Sequence, residues 1–140
     1  MKQYSFLNTI LLVNGVEISG YDEGDSVIAL ARRNNSANDS VGADGELSVA
    51  LSADRSGTVT FRLMQTSSSN TYLGGLSTAQ ENGVFVPTFI QFKDLTGGDF
   101  GSGTQGYIQK PADMSTNMNT PSNREWVVVV ERLDLLYNAL

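Results

Sequence analysis

The sequence predicts a mainly β protein: a two-sheet β-sandwich or partly closed barrel with one flanking α-helix at about residues 68–81. Three observations predict it. Short runs rich in Val, Ile, Leu, Thr and Phe recur between clusters of Gly, Asn, Asp and Ser, the punctuation of strands joined by turns. Several of these runs alternate apolar and polar residues with a period of two. One segment alone carries apolar residues at helical spacing.

Taken in order, residues 9–18 read as two strands folded over Asn14-Gly15, a type I′ turn dipeptide, or as one strand with a bulge there. An acidic turn at residues 20–24 precedes a strand at 26–33, with Val27, Ala29 and Ala31 on one face and Ile28, Leu30 and Arg32 on the other. Residues 34–45 are almost free of large apolar side chains and read as an exposed loop or long hairpin tip. Residues 46–52 and 58–64 both alternate, which predicts an antiparallel hairpin with one buried and one polar face.

Residues 67–80 form the predicted helix. Ser67, Ser68, Ser69 and Asn70 offer N-caps, Tyr72, Leu73, Leu76 and Ala79 form an apolar stripe, and Asn82-Gly83 stops it. Gly74 and Gly75 each weaken it by roughly 1 kcal/mol relative to Ala. Residues 84–93 read as an apolar strand that Pro87 marks as an edge or a bulge. The glycine-rich stretch 94–105 reads as loop, 107–110 as a short strand and 112–123 as irregular. Residues 126–135 close the chain as a strand buried on both faces, since it carries four consecutive valines.

The 140 residues suit one domain, 1–140, without a linker or repeat. Hydrophobic content of 40% against 17% charged residues favours a folded chain over a disordered one. The N-terminus lacks the apolar core of a signal peptide, so the expectation is synthesis in the cytoplasm.

With no Cys and no His, disulfides, thiolate nucleophiles, cysteine zinc sites and the commonest general base are excluded. Asp22-Glu23-Gly24-Asp25 and the acids around Asp39 and Asp44 lack the spacing of a calcium loop and read as turns. The glycine-rich 97–103 stretch has no P-loop lysine and no following helix. None of the three lysines sits in a Ser-x-x-Lys motif. The expectation is no catalytic residue, no metal, no cofactor and no small-molecule substrate. Nine basic against fifteen acidic residues disfavour tight nucleic-acid binding, and Arg32, Arg33 and Arg124 read better as interface ion pairs.

Several segments carry a resemblance. They include Ala31-Arg32-Arg33-Asn34, Val41-Gly42-Ala43-Asp44-Gly45-Glu46 and Ser52-Ala53-Asp54-Arg55-Ser56-Gly57-Thr58. Further along stand Gln65-Thr66-Ser67 with Asn70, Ala79-Gln80-Glu81-Asn82-Gly83, Gln91-Phe92-Lys93-Asp94 and Gly103-Thr104-Gln105-Gly106-Tyr107-Ile108. Lys110-Pro111-Ala112-Asp113-Met114, Glu125-Trp126 and Glu131-Arg132-Leu133-Asp134 complete the set. With these the chain resembles the tail tube proteins of contractile-tailed bacteriophages.

The resemblance implies a virion protein forming six-membered rings that stack into a hollow tube inside a contractile sheath. Its implied partners are itself, the sheath, baseplate and tail terminator proteins, and phage double-stranded DNA passing without sequence-specific contact. A baseplate or tail-completion ring protein is the alternative, and a carbohydrate-binding β-sandwich a more distant one. Within that frame Glu46, Ser48, Ser52, Thr58, Thr60 and Arg62 are expected to face the lumen. Asn34, Asn35, Asn38, Asp39 and Asp44 are expected to form a stacking loop between rings.

Overall fold

The computed structural model describes residues 6–24, 27–83 and 87–138. A short 3-10 turn at Phe6–Asn8 leads into β1 (Thr9–Val13) and β2 (Val16–Glu17). Then come β3 (Ile28–Arg32), β4 (Ala37–Val41), β5 (Leu47–Leu51), β6 (Gly57–Met64) and α1 (Ser69–Glu81). The chain ends with β7 (Thr88–Asp94), β8 (Phe100–Ile108) and β9 (Asn123–Leu136). Seven strands form one antiparallel sheet in the order β2-β1-β7-β8-β9-β6-β3, while β4 and β5 pair with each other.

The large sheet curls. Leu11 and Val13 of β1 share one core with Val59, Phe61 and Leu63 of β6, although three strands separate β1 from β6 in the sheet order. The segment after β2 bridges the two sides. Ile18 N–H donates to Leu11 O at 2.9 Å, then Asp22 N–H donates to Arg62 O at 3.1 Å and Gly20 O accepts Met64 N–H at 2.8 Å. The result is a partly closed barrel whose seam is crossed by this segment. The mainly β class with one helix is as the sequence predicts.

Local chemistry explains most elements. Asn14 and Gly15 take φ of 53° and 81°, the left-handed pair a type I′ turn requires. Asn14 also exchanges hydrogen bonds of 2.9 Å with the backbone of Phe89, which ties the turn to β7. In α1, Ser69, Leu73 and Ser77 are buried at four-residue spacing. Ser67 accepts Ser69 N–H at 3.2 Å through its Oγ, in place of a side-chain cap from Ser68. Trp126 lies buried in β9, and its Nε1–H donates to Asn70 Oδ1 at 3.0 Å, which pins helix to sheet. Val128, Val129 and Val130 are all buried, Val127 partly so, because β9 lies inside the sheet between β8 and β6.

Two expectations are corrected. The predicted loop at 94–105 contains most of β8. Its glycines are packing devices: a Cβ on Gly101 would lie 2.5 Å from Leu30 Cδ2, and one on Gly103 would lie 2.8 Å from Val130 Cγ1. On Gly106 a Cβ would meet Thr88 O at 2.8 Å. The strand's inward face is left bare so that side chains from β3 and β9 can fill it.

The predicted hairpin of 46–52 with 58–64 does not form either. β5 pairs with β4, from Ala37↔Leu51 to Val41↔Leu47, while β6 pairs with β3 and β9. Residues 34–45 are therefore half strand, despite the poor β propensity of Asn38 and Asp39. Gly42 N–H to Glu46 O (2.8 Å), Gly45 at φ 85° and Asp44 Oδ1 accepting Glu46 N–H (3.1 Å) set the tight turn that creates this pairing. Ser26 and residues 84–86 of two predicted strands, and Asp25 of the acidic turn, lie outside the described residues.

Candidate assembly surfaces

Strand alternation gives the large sheet an inner face filled with core residues and an outer face that carries Phe89 and Tyr107 on β7 and β8 and mostly Ala, Thr and Val on β3, β6 and β9. On the outer face of β3, β6 and β9, the register aligns Ala31, Thr58 and Val129 in one row and Ala29, Thr60 and Val127 in the next. Arg62 sits opposite Glu125 in the row that follows. Thr58, Thr60 and Arg62 are thus brought together on one surface, each partly buried. Ser52 is separate, in the connection from β5 to β6. Glu46 and Ser48 belong to the turn and strand of the β4–β5 hairpin and are exposed. Five of the six residues therefore occupy two surfaces, Ser52 lies in the connection between them, and none enters the hydrophobic core.

The outer edge of β3 is unpaired among the described residues. Arg62 N–H to Val27 O (3.0 Å) and Arg33 N–H to Ser56 O (3.1 Å) fix which residues bond to β6. By antiparallel alternation the backbone groups of Ile28, Leu30 and Arg32 then point away from β6. Such an edge is a template for another strand.

The hairpin carries the other surface. Every residue of β4 and β5 is exposed. Asn34 and Asp54 anchor its root: Asn34 Nδ2 donates to Asp54 Oδ2 at 2.6 Å, and Ser56 Oγ and N–H donate to Asp54 Oδ1 at 2.7 and 2.9 Å. These bonds, Ser56's hydroxyl first, lower the Asp54 carboxyl to about 2. Of the expected stacking residues, Asn38 and Asp39 lie on β4, Asp44 in the tip turn, and Asn34 and Asn35 at the root. Sequence reasoning missed the hairpin's apolar face, made by Val41, Leu47, Val49 and Leu51. Its signal is the alternation of residues 46–52, which in sequence reads equally as a strand facing a core.

The three arginines divide. Arg32 Nε donates to Leu133 O at 3.0 Å and its guanidinium lies 4.0 Å from Asp134, so it braces β3 against β9. Arg124 Nη1 donates to Ser115 O (3.0 Å), Ser122 Oγ (2.6 Å) and Asn123 O (3.1 Å). Arg33 is exposed. Among the described residues no three His, Cys, Asp or Glu side chains are grouped to hold a metal ion.

The comparisons agree with this architecture. No curated protein sequence matches the chain. Among solved structures it is similar to the tube-terminating cap of the anti-feeding prophage (TM-score 0.60, 6% identity, 98% of this chain and 93% of that one). It is similar to a chain of the extended sheath–tube complex of the extracellular contractile injection system PVC (TM-score 0.62, 9% identity, 96% and 92%). The sheath/tube terminator of PVC is similar too (TM-score 0.63, 10% identity, 97% and 98%). At these identities the likeness is one of fold. The family model "Bacteriophage PhiTE tail tube protein" matches residues 1–137. The chain therefore belongs to that bacteriophage tail tube protein family, whose members are structural components of the tail.

Proposed function

We propose that this chain assembles into six-membered rings that stack into the hollow tube of a contractile phage tail, a conduit for the genome. The observation that carries the reading is the family match over residues 1–137, joined to a monomer that leaves a sheet edge and an apolar hairpin face uncovered. Ring closure needs a heterologous contact, and the open edge of β3 supplies one half of it, extending the sheet from copy to copy. Stacking needs a second such contact that stays open along the axis. The hairpin, with Asn34, Asn35, Asn38, Asp39 and Asp44, serves there.

In this arrangement the outer face of β3, β6 and β9 lines the lumen, with Thr58, Thr60 and Arg62 in the wall. Rows of Ala, Thr and Val, with Arg62 in register with Glu125, give a wall of little net charge, and the chain's formal charge is −6. Phosphates slide past such a wall instead of adhering to it. Glu46, Ser48 and Ser52 approach the lumen only where the hairpin bends inward. Arg33, which is exposed, and Arg124 are the arginines with donors left for pairs across copies. The sheath, baseplate and terminator are the further partners, by analogy with the sheath–tube and terminator assemblies whose chains share the fold.

A second reading is a ring that caps or terminates a tube, because the cap and terminator chains match this fold as well as the chain of the sheath–tube complex does. Negative-stain microscopy of the purified chain separates the two: long hollow filaments support the tube, and single rings support the cap. Persistently monomeric protein at high concentration contradicts both.

A further inference from the structure

The β4–β5 hairpin lacks cover. The pairs Asp39↔Val49 and Val41↔Leu47 share one face with Leu51, and Val41, Leu47, Val49 and Leu51 are 67%, 56%, 59% and 84% exposed. An isolated two-stranded hairpin is marginal in water. Its apolar face therefore calls for a partner, and the position of its root narrows the choice.

The hairpin leaves the sheet where Arg32 meets Gly57. The far end of β6 is Met64, opposite Asn123, seven residues and about 23 Å away. At that far end α1 and residues 109–122 flank a cleft of about 230 Å³, lined by Asn70, Gly74, Pro111, Met114, Arg124 and Trp126 among others. This is below the roughly 300 Å³ at which small-molecule pockets begin, so it suits protruding side chains. Met114 in its lining is 87% exposed. Methionine is the side chain that best adapts to an incoming apolar surface.

Charge fits as well. Residues 36–51 hold Asp39, Asp44 and Glu46 and no Lys or Arg. Asp39 lies on the same face as the apolar side chains. At the cleft, Arg124 is held by three bonds from Nη1, which leaves its Nη2 and Nε donors for a carboxylate. Glu125, next in β9, points to the opposite face of the strand.

Resting on the assembly reading above, we infer that the hairpin's apolar face docks into this α1/109–122 cleft of a second copy, with Asp39 against Arg124. Surfaces at opposite ends make the contact head-to-tail and open, the geometry that propagates a stack.

The chain has no Cys, so introduced pairs report cleanly. Val49→Cys combined with Met114→Cys is oxidised under assembling conditions and run on a denaturing gel, beside a control combining Val49→Cys with Leu136→Cys at the hairpin's own end. Both sites in each pair are exposed, so the fold tolerates them. The expected result is loss of the monomer band to a ladder of covalent multimers in the first pair and a retained monomer band in the control. A ladder confined to the control, or monomer in both while micrographs show filaments, overturns the docking. Monomer in both with no assemblies in the micrographs overturns the assembly reading too.

Discussion

Gly103 tests the idea that β8 is a strand whose glycines exist to admit neighbouring side chains. A Cβ there would lie 2.8, 3.1 and 3.2 Å from Cγ1, Cγ2 and Cβ of Val130. Val130 has no room to retreat: it is fully buried, and a Cβ at Gly106 would already come within 2.9 Å of its Cγ1. Gly103→Ala therefore overpacks the core and should cost about 1–3 kcal/mol. For a chain of this size that is roughly 3–4 °C of Tm per kcal/mol. Val130→Ala should cost about 2–3 kcal/mol through lost burial and a residual cavity. The double variant should recover about 1–2 kcal/mol of the summed cost, because the new methyl group enters the vacated space. Urea titration of the monomer followed by near-UV circular dichroism measures all four corners of this cycle. Additivity within about 0.5 kcal/mol, or an unchanged midpoint for Gly103→Ala, would refute the packing role.

Other predictions concern α1 and the hairpin root. Gly75→Ala places a methyl group in open space on an exposed helical position and should stabilise the monomer by about 0.8–1 kcal/mol, read as a higher urea midpoint. Asn70→Ala removes the acceptor of the buried Trp126 Nε1–H and a donor to Met64 O (2.9 Å). It should cost about 1–3 kcal/mol and alter the tryptophan near-UV signal; an unchanged midpoint would mean that water replaces the bond. Asp54's carboxyl is depressed to about 2 against an unfolded value near 3.9. Its contribution to stability is thus complete above about pH 4 and lost as pH falls through about 2. In an NMR titration the Asp54 carboxyl and the amide of Ser56 should move together with a midpoint near 2, and a midpoint near 4 would show that the Asn34–Asp54–Ser56 anchor is absent in solution.

What could be read from the sequence divides along the range of the interactions involved. The Asn14-Gly15 turn, the helix over Ser69–Glu81 and the buried β9 valines are specified within a few residues of themselves, and the structure has each of them. β8 could not be read that way. Gly101, Gly103 and Gly106 signal a loop when seen alone, and become intelligible only beside Leu30 and Val130, distant in sequence. Likewise, the alternation of residues 46–52 and 58–64 identified two strands but not their partners. A tight turn at 42–45 gave β5 the polar strand β4, and β6 entered the sheet between β3 and β9. The grouping of Thr58, Thr60 and Arg62 followed from strand period alone. The hairpin's apolar face did not, because an alternating strand outside any core looks in sequence like one inside it. Charge balance and the lack of Cys and His constrained chemistry, yet neither bears on assembly.

The proposed tube subunit puts the outer face of β3, β6 and β9 on the lumen wall. Helical reconstruction by electron cryo-microscopy of the purified, assembled chain tests it most directly. The predicted map is a hollow filament of stacked six-membered rings, with density for Thr58, Thr60 and Arg62 on the inner wall and the hairpin crossing to the adjacent ring. Filaments that place these three side chains on the outer surface, or assemblies that stop at a single ring, would contradict it.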